Sequence, residues 1–224
     1  MSRAARANTV HAALSQSTSV GVKMCGMTRP QDAAQAAALG AEAVGLVFWP
    51  DSPRAVTMRQ ARQVVDAVPP FTTVVGVFVD QQVEEVVRTA AALGLGAVQL
   101  HGHEGVDVLE RISCRVIKAL DVGEYATSEW ANAPEERVTI LLDAIDPVRR
   151  GGTGQRIDWK AAAGIARQRR IILSGGLRPY NVAEAVRAVR PYAVDVASGV
   201  EREPGVKDQA RMRAFMEAVC RCDL

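Results

Sequence analysis

Eight times along residues 20–219, a short apolar run gives way to a stretch rich in Ala, Arg and Glu, and this alternation limits the possible folds more than any other feature. The apolar runs occupy 20–24, 43–48, 72–78, 97–100, 115–119, 138–142, 171–173 and 193–196. Within them apolar residues follow one another rather than alternating with polar ones, the pattern of strands buried on both faces of a parallel sheet. The intervening stretches predict helices over 30–39, 58–68, 81–93, 105–111, 159–167, 179–189 and 207–219. The fifth connection, around 124–130, is poorly patterned. Eight strand–helix units predict a single (β/α)8 TIM barrel with its active site on the C-terminal face of the strands. A doubly wound open sheet alternates in the same way but carries its Gly-rich phosphate turn after the first strand. Here the glycines crowd after strands six to eight.

The chain of 224 residues suits one domain, and 48% hydrophobic with 23% charged residues is enough for a sizeable core. A net charge of +2, with no Lys/Arg run, argues against a nucleic-acid partner and fits a few local cations around a small anionic ligand. No apolar run approaches the ~20 residues of a membrane span, so no membrane partner is expected. Cys25, Cys114, Cys220 and Cys222 form no evenly spaced set, and Cys220-x-Cys222 lacks a second ligand pair. They read as unpaired thiols of a reducing, cytoplasmic compartment, with no metal site. Residues 1–18 place Arg3 and Arg6 among Ala, Ser and Thr, with no acidic residue before Asp32. That composition predicts a disordered or cleavable leader, with the barrel occupying 19–224.

Chemistry-bearing residues collect where the strands end. The first run delivers Cys25-Gly26, after which Thr28 reads as an N-cap for a helix opened by Pro30. A thiol at such a position can act as base or nucleophile if its surroundings favour the thiolate. Strand two leads to Ser52-Pro53-Arg54, strand four to Gln99-Leu100-His101-Gly102, and strand six to Asp143. Then follow Gly151-Gly152-Thr153-Gly154, Ser174-Gly175-Gly176, and Asp195 with Ser198-Gly199. Glycine turns after the last strands let backbone N–H groups approach an anion, and this region of a barrel is a recurring phosphate site. One such turn alone would be ordinary; two on adjacent units, facing a thiol and a carboxylate, are not.

These motifs, in this order, resemble the phosphoribosylanthranilate isomerase family across residues 20–215. The likeness rests on Lys23-Met24-Cys25-Gly26-Met27-Thr28, Ser52-Pro53-Arg54, Val98-Gln99-Leu100-His101-Gly102 and Leu141-Leu142-Asp143. It continues in Gly151-Gly152-Thr153-Gly154, Asp158-Trp159, Ser174-Gly175-Gly176-Leu177, Val194-Asp195-Val196-Ala197-Ser198-Gly199-Val200-Glu201 and Gly205-Val206-Lys207-Asp208. Only the leader and the Cys220-Arg221-Cys222 tail depart from the family pattern. The resemblance implies an Amadori rearrangement of N-(5-phosphoribosyl)anthranilate that needs no metal and no organic cofactor. It assigns Asp143 as general acid and Cys25 as general base.

The residue chemistry is consistent with those roles. An Asp at a pKa of ~3.9 is only about one part in a thousand protonated at pH 7, so an acid role requires a raised pKa. Cys25 must be lowered or act from a minority thiolate. Lys23, on the same strand face, either assists it or is a structural lysine. Arg54 is the candidate for the anthranilate carboxylate. Gln99 and His101 are substrate-binding candidates, with a strand-capping role open for His101. Asp195 either contacts ribose hydroxyls or serves as a cap. Gly152, Gly154, Gly175, Gly176, Ser198 and Gly199 form the expected phosphate site, and the loop after Asp143 could close over it. Asp158 reads as a helix N-cap. Two other readings remain open from the residues: a lyase of the indole-glycerol-phosphate synthase type, which would want a lysine acid and a glutamate base, and a silent sugar-phosphate-binding barrel. A monomer and a homodimer are equally compatible with the sequence.

Overall fold

The computed structural model describes residues 20–144 and 157–222. The expected leader and the Gly152–Gly154 turn lie outside these described residues. Eight parallel strands close into a barrel in chain order. They are β1 (Gly21–Met24), β2 (Ala43–Val47), β3 (Thr73–Phe78), β4 (Ala97–Leu100), β5 (Arg115–Leu120), β6 (Val138–Leu142), β7 (Ile171–Leu173) and β8 (Ala193–Val196). Outside them run α1 (Pro30–Ala38), α2 (Met58–Ala67), α3 (Val83–Leu93), α4 (Trp159–Ala166), α5 (Val182–Val189) and α6 (Gln209–Cys220).

Register explains why the strands read as continuous apolar runs. Val75 pairs with Ala97, Gln99 with Ile117, Leu141 with Ile172, and Lys23 with both Ala43 and Asp195. Residues of that parity point to the axis, where Val75, Ala97, Ile117, Ala119, Leu141, Ile172 and Ala193 form a buried plug. Residues of the other parity, among them Val22, Met24, Leu46, Val98, Ile140 and Val194, pack outward under the helices. One pleat beyond the plug, towards the strand C-termini, the axial positions turn polar: Lys23, Gln99, Asp195 and then Cys25, Asp143 and Ser174. The plug therefore forms the floor of a site.

Several local expectations are corrected. Thr28 is not a helix N-cap: Arg29 occupies that position without a side-chain cap, and the Thr28 hydroxyl instead donates to Gly205 O at 2.5 Å. Asp158 does cap α4, accepting from the N–H groups of Lys160 and Ala161. The helix expected over 105–111 is a 3-10 turn, Val106–Glu110, and the fifth connection holds two more, Tyr125–Thr127 and Glu129–Asn132. There the outer layer is completed by individual side chains. Trp130 and Tyr125 are buried, and Arg169 donates to the carbonyls of Trp130, Ala131, Ala133 and Val138. The last helix begins at Gln209 rather than 207, because a 3-10 turn (Ser198–Val200) and a small hairpin of β9 (Glu201–Glu203) and β10 (Val206–Lys207) come first. No helix among the described residues is long and apolar enough to cross a membrane.

Where helices are missing, a buried ion pair fixes the loops. Glu104 accepts from Lys118 Nζ at 2.7 Å and from the backbone N–H groups of Asp80 and Gly102. Lys118 also donates to Gly102 O and lies 5.6 Å over the Trp130 ring, whose Nε1 donates to Glu104 O. Removing one partner of such a pair strands the other in a dry environment. Glu104→Ala should therefore cost about 3–5 kcal/mol in urea unfolding. Glu104→Ala combined with Lys118→Met should recover much of that loss.

Candidate active site

The Cys25 thiol reaches the strand ends through a close fit. A Cβ on Gly45, on neighbouring β2, would lie 2.6 Å from Cys25 Sγ, so only glycine leaves the thiol its place. The next residue, Gly26, has φ +74, and a Cβ there would sit 2.5 Å from Arg54 Cδ. The Arg54 stem thus lies across the turn that follows the thiol.

Above the plug opens a cavity of about 530 Å³ lined by Cys25, Arg54, Gln99, His101, Asp143, Ser174, Gly175, Gly176, Asp195, Ser198 and Gly199. Every described candidate from the sequence reaches its wall except Lys23. That lysine lies beneath, buried, with Nζ 2.6 Å from Asp195 Oδ1. The two loops expected to bind phosphate, at Gly175-Gly176 and Ser198-Gly199, meet on the cavity wall, while Gly152 and Gly154 lie outside the described residues. Val47, Trp49, Val77, Val79 and Leu177 supply apolar surface.

Electrostatics follow from burial. The Asp143 carboxyl is pushed up to about 7, first by desolvation and then by the negative charge of Asp195. The Ala144 N–H, Ser174 and Lys23 oppose that rise. His101 Nε2 stands 3.6 Å from Asp143 Oδ2, and its Nδ1 faces the Gln99 amide nitrogen at 2.9 Å. Burial also pushes the Cys25 thiol up, against the pull of Lys23. The lowering that a resting thiolate would need is absent. Burial opposes the charge on Lys23 as well, but Asp195 and then Cys25 outweigh it and hold the ammonium above its ordinary value. Among the described residues no three His, Cys, Asp or Glu side chains group to hold a metal ion.

Two further polar residues complete the wall behind Arg54. Glu201, on β9, accepts from Arg54 Nε at 2.9 Å and Nη2 at 2.7 Å. Lys207, on β10, gives Nζ to the same carboxylate at 2.8 Å, to Cys25 O at 2.5 Å and to Ala197 O at 3.2 Å. Burial works against both charges. It leaves Lys207 below its ordinary value, whereas Arg54 and Lys207 together hold the Glu201 carboxyl below its own. Sequence reasoning gave neither residue a role. The available signal was the closing pair of motifs, Val200-Glu201 and Gly205-Val206-Lys207-Asp208, with one acid and one base a short turn apart.

A family model described as N-(5'phosphoribosyl)anthranilate (PRA) isomerase matches residues 22–218. The N-(5'-phosphoribosyl)anthranilate isomerase of Geobacter sp. (strain M21) is 45% identical over 196 residues, covering 87% of this chain and 95% of that one. The crystal structure of phosphoribosyl anthranilate isomerase from Thermotoga maritima is similar with a TM-score of 0.81 at 40% identity, covering 89% and 98% of the two chains. A second isomerase structure, in complex with reduced 1-(o-carboxyphenylamino)-1-deoxyribulose 5-phosphate, matches with a TM-score of 0.77 at 38% identity over the same shares.

The raised pKa of Asp143 has a consequence for stability. Between its ordinary 3.8 and about 7 the native state keeps a proton that the unfolded chain has released. Stability therefore falls as pH rises through that window and stays reduced above it. Asp143→Asn removes the penalty. The stability advantage of the variant over wild type should grow by about 2–3 kcal/mol between pH 5 and pH 8, read by denaturant unfolding at each pH. An advantage independent of pH would show that Asp143 does not titrate in this window.

Proposed function

The chain belongs to the N-(5'-phosphoribosyl)anthranilate isomerase family, tryptophan-pathway enzymes, and from that premise we propose that Asp143 is its general acid and Cys25 its general base. The observation that carries this assignment is one cavity holding a carboxyl that titrates near 7, a thiol and an arginine. Its volume falls in the ~300–1,000 Å³ range of small-ligand sites.

The reaction proceeds by proton movements. Protonated Asp143 gives its proton to the furanose ring oxygen as the C1–O bond breaks, and the nitrogen lone pair forms an iminium at C1. The Cys25 thiolate then takes the proton from C2. The C–H electrons become the C1=C2 bond of an enolamine, which neutralises the nitrogen and tautomerises to the ketone. A raised thiol pKa is tolerable because the iminium acidifies C2–H and its positive charge favours the neighbouring thiolate. In this reading Arg54 holds the anthranilate carboxylate, and the loop that carries it brings Trp49 and Pro53 to the same wall. Gly175, Gly176, Ser198 and Gly199 offer backbone and hydroxyl groups to the phosphate, with Gly152 and Gly154 proposed as its further contacts. Gln99 and His101 orient the ribose and the acid. Asp195 is engaged by Lys23 through Oδ1, and its Oδ2, 3.4 Å from Ser174 Oγ, faces the sugar side. Unpaired thiols and the absence of a membrane-length helix among the described residues support a cytoplasmic site of action.

Cys25→Ser and Asp143→Asn should each lower kcat by about two to four orders of magnitude with binding largely spared. A C2-deuterated substrate should show an enhanced isotope effect in Cys25→Ser and a muted one in Asp143→Asn. The reverse pattern would exchange the two roles, and full activity in either variant would remove that residue from the mechanism. For Arg54→Ala, kcat/KM should fall by about 2–4 kcal/mol. The variant should also lose the preference for substrate over an analogue made from aniline, which lacks the carboxylate. Equal discrimination by variant and wild type would make Arg54 a bystander.

A further inference from the structure

The cluster behind Arg54 does more than bury an arginine. A guanidinium has five N–H groups, and Glu201 takes the edge formed by Nε and Nη2. Among the described residues no acceptor holds Nη1, and Arg54 lines the cavity. The side chain is thus gripped on one edge by Glu201 and backed along its stem by Gly26, with its other edge left for a second carboxylate. The Glu201 side chain is only 4% exposed and that of Lys207 is fully buried. One carboxylate is shared between two cations, so the cluster is one negative charge short of neutrality, the charge of a single bound carboxylate. Through Lys207 the same cluster reaches the backbone carbonyl of Cys25.

Resting on the assignment of Arg54 to the substrate carboxylate, we propose that Glu201 is a positioning residue for that recognition. It holds the Nε–Nη2 edge of Arg54 so that the remaining N–H groups meet the substrate, and through Lys207 it ties the carboxylate subsite to the strand end that carries Cys25. Substrate with a misplaced or missing carboxylate is then disfavoured by an arginine that cannot swing to follow it.

The test is the ratio of kcat/KM for phosphoribosylanthranilate to that for the aniline-derived analogue, measured for wild type, Arg54→Ala and Glu201→Gln. Glu201→Gln should lower this ratio about tenfold to a hundredfold, mostly through KM for the carboxylated substrate. Turnover of the analogue should change far less. Because Glu201→Gln leaves buried Lys207 without its partner, Glu201→Gln/Lys207→Met provides a second variant with balanced charge. Any disturbance of Cys25 in it affects both substrates and cancels in the ratio. An unchanged ratio in the Glu201 variants, with the ratio lost in Arg54→Ala, overturns the proposal and leaves the Arg54 assignment standing. Equal losses on both substrates reduce Glu201 to a structural role and also overturn it. If Arg54→Ala itself keeps the ratio, the assignment of Arg54 fails and this proposal fails with it.

Discussion

Where β1 meets β8 to close the barrel, the register sets Lys23 opposite Asp195, and the buried ion pair between them governs much of what happens above it. Buried pairs contribute little net stability, because desolvation consumes most of the attraction. Their influence is on the neighbours. Asp195 is the second cause, after burial, of the raised Asp143 carboxyl, while Lys23 draws both Asp143 and Cys25 back down. Lys207 also draws the thiol down, so two ammonium groups act on Cys25 against its burial. Burial is the first cause of both shifts, and the ion pair that closes the sheet adjusts them.

The second constraint is spatial. The thiol needs a glycine beside it on β2, and Arg54 needs a glycine beneath its stem. Both follow from placing bulky reactive groups close together at the strand ends. Glu201 and Lys207 then hold this corner from the far end of the chain, 147 residues beyond Arg54 and 182 beyond Cys25. The short hairpin after β8 delivers these two side chains.

The strands were legible in the sequence because each is buried on two faces, one against the axial plug and one under the helices, so most of their positions are apolar. Connections four and five were not. Val106–Glu110 and the turns around Trp130 are 3-10 segments held by Glu104, Lys118 and Arg169, partners distant in sequence and invisible to local periodicity. Thr28 misled for a related reason: its hydroxyl bonds Gly205 O, on the far side of the chain. The candidates at the strand ends could be found because the fold class dictates where strands deliver side chains. Glu201 and Lys207 escaped because an acid and a base flanking a glycine turn look like a solvated surface hairpin until the partners of both are known.

The two proposed proton carriers have their affinities in an unusual order. Asp143 titrates near 7, whereas burial lifts the Cys25 thiol above its ordinary 9. In the empty enzyme at neutral pH and above, the common state is carboxylate with thiol. The state that starts the proposed mechanism, carboxylic acid with thiolate, is the rarer exchange of one proton between them. Between the two pKa values its fraction does not change with pH, because each gain in thiolate is matched by a loss of protonated acid. That fraction is small, because the buried thiol holds its proton more tightly than the carboxyl does. Such scarcity is not a defect of the site. In the proposed mechanism Asp143 ends its transfer as carboxylate and Cys25 ends its transfer as thiol, the forms that the site favours above pH 7. Each proton transfer therefore moves the protein towards its stable protonation state, and a base kept weakly populated in a dry pocket is a strong base when its turn comes.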